Sequence, residues 1–261
     1  MEETALEVVS IEDGFEQIFW NYANLDPFNY YFFILDWKQR KEQTKILLAM
    51  EENRLEGLML VYSDYVVQLR GTRKAVESLL ASVSLERVEL QAPLDCDDIV
   101  LRKYNPILKY ELVLMRLNKG EENIQIKHSP VRLGVEDIKE FVEVLKNADS
   151  VTWGDLDAEK QRASWKDAFL LGIKRDNRLV SVGNTRFVDF GSNIGAIATD
   201  ERYRNNGYAT SITSALVEEI LKKSPAALIH VLSHNAPAVR VYSKVGFRPY
   251  KSYFFMRGEK T

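Results

Sequence analysis

An apolar strand pattern, Ile194-Gly195-Ala196-Ile197-Ala198-Thr199, leads through a polar loop into a helix pattern with apolar residues at Ala209, Ile212, Leu216 and Ile220. That change of period commits the stretch to a strand, a loop and an amphipathic helix packed in an α/β layer. The loop, Arg204-Asn205-Asn206-Gly207-Tyr208-Ala209, therefore sits at a helix N-terminus. There the first backbone N–H groups lack intrahelical acceptors and the helix dipole is positive, so an anion is favoured. Gly207 permits close backbone approach, and Arg204 adds fixed charge. The loop has neither the Lys-Ser/Thr pair of a nucleotide P-loop nor the three spaced glycines of a dinucleotide fold. The expected anion is thus neither magnesium-held ATP nor NAD. Taken alone, the loop also fits an ordinary capped surface helix.

The next segment narrows the choice. A second apolar strand, Ala226 to Leu232, precedes Asn235-Ala236-Pro237-Ala238-Val239-Arg240-Val241-Tyr242-Ser243-Lys244-Val245-Gly246-Phe247. Asn235 suits an N-cap, Pro237 the first helical turn and Gly246 a left-handed helix C-terminus, so the segment reads as a short helix. Ala238 and Tyr242 are four residues apart and share a face.

These two segments, in this order, resemble the GNAT superfamily of acyl-CoA-dependent N-acyltransferases, over roughly residues 124 to 257. The family's Arg/Gln-x-x-Gly-x-Gly/Ala loop is matched at Arg204, Gly207 and Ala209. Its Asn-x-x-Ala-x-x-x-Tyr-x-x-x-Gly-Phe pattern is matched at Asn235, Ala238, Tyr242, Gly246 and Phe247. The resemblance implies that Arg204, Asn205, Asn206, Gly207, Tyr208, Ala209 and Thr210 cradle the pyrophosphate of acetyl-CoA, with Asn235 and Ala238 nearby. It implies that Ile197, Ala198 and Thr199 hold the pantetheine arm through unpaired backbone groups, as an added strand would be held. Thr199 departs from the aliphatic residue common there, and its hydroxyl is a candidate to face substrate. Tyr242 becomes the general acid that protonates the departing thiolate. A phenol near pKa 10 is protonated at neutral pH and can still hydrogen-bond a thiolate whose conjugate thiol is near 8.5.

The acceptor must be neutral to attack. An α-amine near pKa 7.7 to 8.0 is about a tenth deprotonated at pH 7, whereas a lysine is well under a thousandth, so a lysine acceptor requires a base. Candidate bases are His230, His234, Asp200 and Glu201, whereas His128 carries no local signal. Three histidines and the single Cys96 show no metal-ligand spacing and no Cys/His nucleophile pattern, so no metal is expected. A net charge of −3 gives no reason to expect nucleic-acid binding. Single-cysteine usage, the acidic Met1-Glu2-Glu3-Thr4 start and the lack of any long apolar run lead us to expect a cytoplasmic protein without a membrane span.

The element order predicts an α/β (α+β) fold of two GNAT-like domains, each a mixed, mostly antiparallel twisted sheet flanked by helices. The expected boundaries are 1–120 for a degenerate copy and 121–261 for the catalytic domain. In the second half, strands are predicted at 123–127, 169–174, 179–189, 193–199, 226–232 and 248–256. Helices are predicted at 135–146 and 158–167 and at the two motif segments. Trp153, Asp155 and Asp157 are candidates to line an acceptor pocket, with packing as the alternative for the tryptophan. In the first half, helices are predicted at 15–22, 72–82 and 97–104. Strands are predicted at 30–36, 45–50, 55–62, 65–69, 88–91 and 109–115. The near-repeat of order points to tandem duplication. Arg70-Gly71-Thr72-Arg73 holds the loop's place with the wrong spacing, and the tyrosine motif has no counterpart. The first copy is therefore expected to shape the acceptor cleft and not to bind CoA. Asp26-Pro27-Phe28-Asn29 is faintly similar to glycine N-acyltransferase-like proteins, which keeps a small amino acid among the possible acceptors.

Two functions remain: an N-acetyltransferase acting on a small-molecule amine, amino acid or peptide N-terminus in a ternary complex, or a catalytically silent CoA-binding sensor or scaffold. Tyr242 favours the first.

Overall fold

Short turns set the strand register in both halves of the chain. Asp176 and Asn177 have φ of 48° and 62°, so Lys174 and Arg175 return directly to Arg178 and Leu179 through a two-residue turn whose twist suits a hairpin. In the first half, Glu51 pairs with Arg54 across a turn of the same length, and left-handed Ser63 and Asp64 turn the chain again before Val66.

These features come from a computed structural model of the chain. It describes residues 6–261, apart from the side chains of Ala163 and Ser164; the acidic segment Met1 to Thr4 lies outside the described residues. The first run of elements is β1 (Glu7–Ser10), α1 (Glu16–Ala23), α2 (Tyr31–Gln39), β2 (Thr44–Glu51), β3 (Arg54–Tyr62), β4 (Val66–Gly71), α3 (Arg73–Ala81), β5 (Arg87–Pro93), α4 (Asp97–Lys103) and β6 (Tyr104–Asn118). The second run is β7 (Val131–Leu133), α5 (Ile138–Ala148), the single turn α6 (Ser150–Trp153), α7 (Ala158–Trp165), β8 (Phe169–Arg175), β9 (Arg178–Thr185), β10 (Ser192–Thr199), α8 (Tyr208–Leu221), β11 (Ala226–Leu232), α9 (Ala236–Val245) and β12 (Arg248–Lys260). Apart from α6, the second run repeats the first element for element.

By compactness the chain forms two units. The first comprises Met1–Val113, Leu232–His234 and Lys251–Thr261, and the second Leu114–Val231 and Asn235–Tyr250. Within the first, β1 to β4 pair antiparallel in sequence, β4 pairs parallel with β5, and β5 pairs antiparallel with β12. The last strand of the chain thus completes the first unit's sheet, burying Phe254 and Met256 in a core with Leu69, Val76, Leu79, Leu90, Val100 and Tyr104. Within the second unit, β7, β8, β9 and β10 pair antiparallel and β10 pairs parallel with β11. Its core gathers Ile138, Phe141, Val142 and Leu145 of α5 with Leu170, Val182, Ala196 and Ala198 of the sheet. Those four α5 residues are the apolar stripe expected from periodicity.

Three predicted elements differ. Residues 30–36 form helix α2 and not a strand: Tyr31, Phe33, Ile34, Leu35, Asp36 and Trp37 are all buried, so no polar face reveals the helical period. Residues 123–127 form no strand. The amides of this segment bond to a helix instead of a neighbouring strand, Gln125 N to Ser214 Oγ at 3.0 Å and Lys127 N to Ser211 Oγ at 3.1 Å, and Ile126 is exposed. The third strand of the second half ends at Thr185, not residue 189.

Candidate active site

β10 begins as an ordinary inner strand and then departs from its parallel neighbour. Its register with β11 runs through Ser192↔Ala227, Asn193↔Leu228 and Ile194↔Ile229. On its other edge it remains paired with β9 to Thr199↔Ser181, with a bulge between Ile194 and Ala196. Gly195 is the extra residue of that bulge, and the Asn184 side chain accepts from the displaced Ala196 N–H at 2.7 Å. A bulge bends and twists the strand that carries it. Ile197, Ala198 and Thr199 therefore follow the point where β10 and β11 stop pairing.

The Thr199 hydroxyl is engaged with Ser181 on the neighbouring strand. Ser181 Oγ donates to Ala198 O at 2.9 Å, so the 2.9 Å contact between Ser181 and Thr199 has Thr199 as donor. Asp200 is likewise engaged. Arg202 grips its carboxylate through Nε and Nη2 at 3.1 and 2.9 Å, and Asn147 Nδ2 approaches at 3.4 Å. The Arg202 hydrogen bond, followed by its charge, holds this carboxylate below its usual range, which suits a loop anchor better than a base.

In the loop at residues 200–207, the amides of Arg202, Tyr203 and Arg204 are bonded within the loop, to Asp200 Oδ1, Asp200 O and Glu201 O. Asn205 and Gly207 are left-handed, with φ of 65° and 80°. A side chain at Gly207 would meet open space, so glycine is needed there for its backbone conformation. The first intrahelical bond of α8 runs from Ser211 N to Gly207 O, so the amides of Tyr208, Ala209 and Thr210 precede the helix's own acceptors. Asn206 turns inward, its Nδ2 donating to Tyr203 O and Arg204 O at 3.1 and 3.0 Å. Arg204 reaches back from the loop, and its Nη2 donates to Ala148 O at the C-terminus of α5.

The downstream helix is capped at both ends. Asn235 Oδ1 accepts from Ala238 N at 3.2 Å, and Gly246 closes α9 with φ of 115°. Phe247 N returns to Tyr242 O at 3.0 Å, completing the C-cap. Tyr242 is buried at 7% exposure, with its ring edge to Phe247 at 6.1 Å. Burial raises its phenol pKa above the ordinary tyrosine value, and no hydrogen bond to its hydroxyl is seen among the described residues.

The remaining candidates separate. His230 Nδ1 lies 3.2 Å from Asn193 Oδ1, at the edge where β10 and β11 part. His234 falls in the first unit and packs its ring 4.7 Å from Tyr110. Glu201 is an exposed first-turn residue of a short 3₁₀ helix. Asp157 caps α7 by accepting from Glu159 N and Lys160 N, Asp155 is exposed, and Trp153 packs against the second core. One residue without a sequence signal does reach the loop: His128 Nε2 is 2.8 Å from Asn206 O. Its 78-residue separation from Asn206 explains why local pattern could not find it. Among the described residues, no group of three or more His, Cys, Asp or Glu side chains could hold a metal, and no helix is long and apolar enough to cross a membrane.

Comparison with known proteins agrees with this geometry. Residues 170–256 match the family model described as FR47-like protein. A GNAT-family acetyltransferase from Colwellia psychrerythraea is similar over 98% of this chain and 100% of its own, at 14% identity and a TM-score of 0.61. A tandem GNAT protein from the clavulanic acid biosynthesis pathway covers 83% and 82% of the two chains, at 12% identity and a TM-score of 0.53. The fold is the GNAT fold, present in two copies. A Drosophila protein is similar over 97% of this chain and 99% of its own, with 12% identity and a TM-score of 0.70. A search of curated proteins finds no match. The parting of β10 from β11 lies just ahead of the glycine loop that leads into α8. An acyl-CoA would find here a strand edge beyond the last β10–β11 pair, a glycine loop at a helix N-terminus, and a tyrosine hydroxyl without a hydrogen bond among the described residues.

Proposed function

We propose that this protein is an N-acetyltransferase that moves an acetyl group from acetyl-CoA to a primary amine by direct attack in a ternary complex. The observation carrying this reading is Tyr242, a buried residue on the helix that follows β11 whose hydroxyl has no hydrogen-bond partner among the described residues. The amides at Gly207 to Thr210 would bind the pyrophosphate, and the strand edge at Ile197 to Thr199, beyond the last β10–β11 pair, would bind the pantetheine arm. Arg204 is tethered to α5 in this structure and would contribute long-range charge or swing to the phosphate on binding.

In the reaction, the amine lone pair forms the C–N bond and the thioester C–S bond breaks. Tyr242 gives its proton to the leaving sulfur and regains one from the new ammonium by way of solvent. Its raised pKa keeps the proton in place until sulfur takes it. This step supplies about 10²- to 10⁴-fold at most. Holding amine and thioester together accounts for the larger share.

The acceptor is proposed to be an α-amine of an amino acid, small molecule or peptide, since Asp200 is held by Arg202 and an α-amine requires the least basic assistance. The test is incubation with acetyl-CoA and pools of amino acids, polyamines and peptides, following free thiol. Acceptor-dependent thiol release supports the reading. CoA binding with no release from any pool would instead make the protein a sensor or scaffold.

A further inference from the structure

The Asn206 carbonyl of the loop takes its partner from outside the loop. The segment between β6 and β7 is strapped to α8 by hydroxyls on one helical face. Gln125 N bonds Ser214 Oγ, and both Lys127 N and His128 N bond Ser211 Oγ, at 3.0, 3.1 and 3.2 Å. Ser211 and Ser214 are fully buried, so these are sheltered bonds. The strap delivers the His128 ring to the first turn of α8, 4.4 Å from the Tyr208 ring.

The ring is held from both sides. Arg175 Nη2 lies 3.1 Å from His128 Nδ1, and Arg175 Nε donates to Tyr208 Oη at 2.9 Å. A guanidinium can only donate, so Nδ1 must be an acceptor and the ring proton sits on Nε2. That proton points to Asn206 O, 2.8 Å away. Across a trans peptide, C=O and N–H point in opposite directions. Holding Asn206 O toward His128 therefore turns the Gly207 N–H away from it, to the opposite side of the peptide.

We propose that His128, fixed in its Nε2–H tautomer by Arg175, is a positioning residue for the anion-binding loop. It preorganises the Asn206–Gly207 peptide so that its N–H faces the pyrophosphate of CoA. The inference rests on the reading of that loop as a CoA site. A flexible loop would have to order this peptide on binding, and a held one does not.

The test is calorimetric titration with CoA of the full chain and of His128→Ala, His128→Gln and His128→Asn, with melting temperature as the control for folding. Glutamine places an amide N–H₂ near the position of Nε2, whereas asparagine stops one bond short. The expected result is roughly tenfold weaker CoA binding for the alanine and asparagine variants and recovery to within about twofold for glutamine. CoA affinity unchanged in His128→Ala, or an equal loss in all three variants, would overturn the positioning role while leaving the CoA site standing. No binding of CoA by the unmodified chain would instead remove the underlying site, and the proposal with it.

Discussion

The β10 to α8 connection and the β4 to α3 connection occupy the same step of the repeated order, and they are built in opposite ways. Both parallel pairings last for three residue pairs, ending at Ile194↔Ile229 in the second unit and at Gln68↔Gln91 in the first. After that, β10 enters a loop at residues 200–207, whereas β4 reaches α3 through Thr72 alone. Thr72 caps α3 by accepting from Ala75 N, so its hydroxyl occupies an amide that an anion would use. In the first unit the place beyond the last pair is filled by Arg70. Its guanidinium is buried, donates to Asn29, Leu69, Gln68 and Gln91, and lies 4.0 Å over the Tyr253 ring of β12. Strand parting is therefore common to both units. The second unit adds a glycine loop ahead of its helix, while the first fills the corresponding place with its own side chain.

This contrast is open to direct tests, the largest effect first. Deleting residues 251–261 removes the antiparallel partner of β5 together with Phe254 and Met256. The expected outcome is loss of hydrogen-exchange protection throughout the first unit's sheet. If β2 to β5 stay protected, the last strand is not integral to that unit. Next, Arg70→Ala leaves buried acceptors on Gln68 and Gln91 unpaired and opens a void, at a cost of about 3 kcal/mol in denaturant unfolding. Its CoA affinity should stay within about twofold, and a tenfold change would mean that the first unit takes part in binding.

Tyr242→Phe should lower kcat by about 10²-fold, equivalent to about 2.7 kcal/mol, with CoA affinity nearly unchanged. Full turnover in the Phe variant, with chemistry rate-limiting, would remove the acid role. The same phenol makes a pH prediction. Its folded pKa is raised above the unfolded value near 10, so the stabilisation is complete below about pH 10 and is lost as pH rises through the folded value. The rate should therefore show no alkaline fall owing to Tyr242 up to about pH 9.5. Last, Gly207→Val forces a β-branched residue into a left-handed conformation, costing about 1–2 kcal/mol and weakening CoA binding about tenfold. Comparable CoA affinity in this variant would show that the loop does not need its present backbone.

Much of the second unit was legible because its signals are local. The α5 stripe, the Asp176-Asn177 turn, the Asn235 cap and the Gly246 stop each depend on residues within a few positions of one another. Helix α2 was misread because a helix buried on most sides shows no polar face. The bulge at Gly195 was missed, although an isolated glycine inside a strand is a known sign of one. The partner of the Thr199 hydroxyl cannot be read along the chain, because Ser181 lies on a neighbouring strand.

The sequence by itself determined which chemistry is available: a glycine loop ahead of a helix, a capped helix carrying Tyr242, and a first copy without either. Periodicity and capping are short-range physics, and they can be read along the chain. Only the tertiary structure decided that β10 leaves β11 beyond Ile194, that Arg70 fills the corresponding place in the first unit, and that His128 holds the loop. Each of these depends on hydrogen bonds between residues far apart in the chain, and such partners are set by packing and not by neighbouring residues.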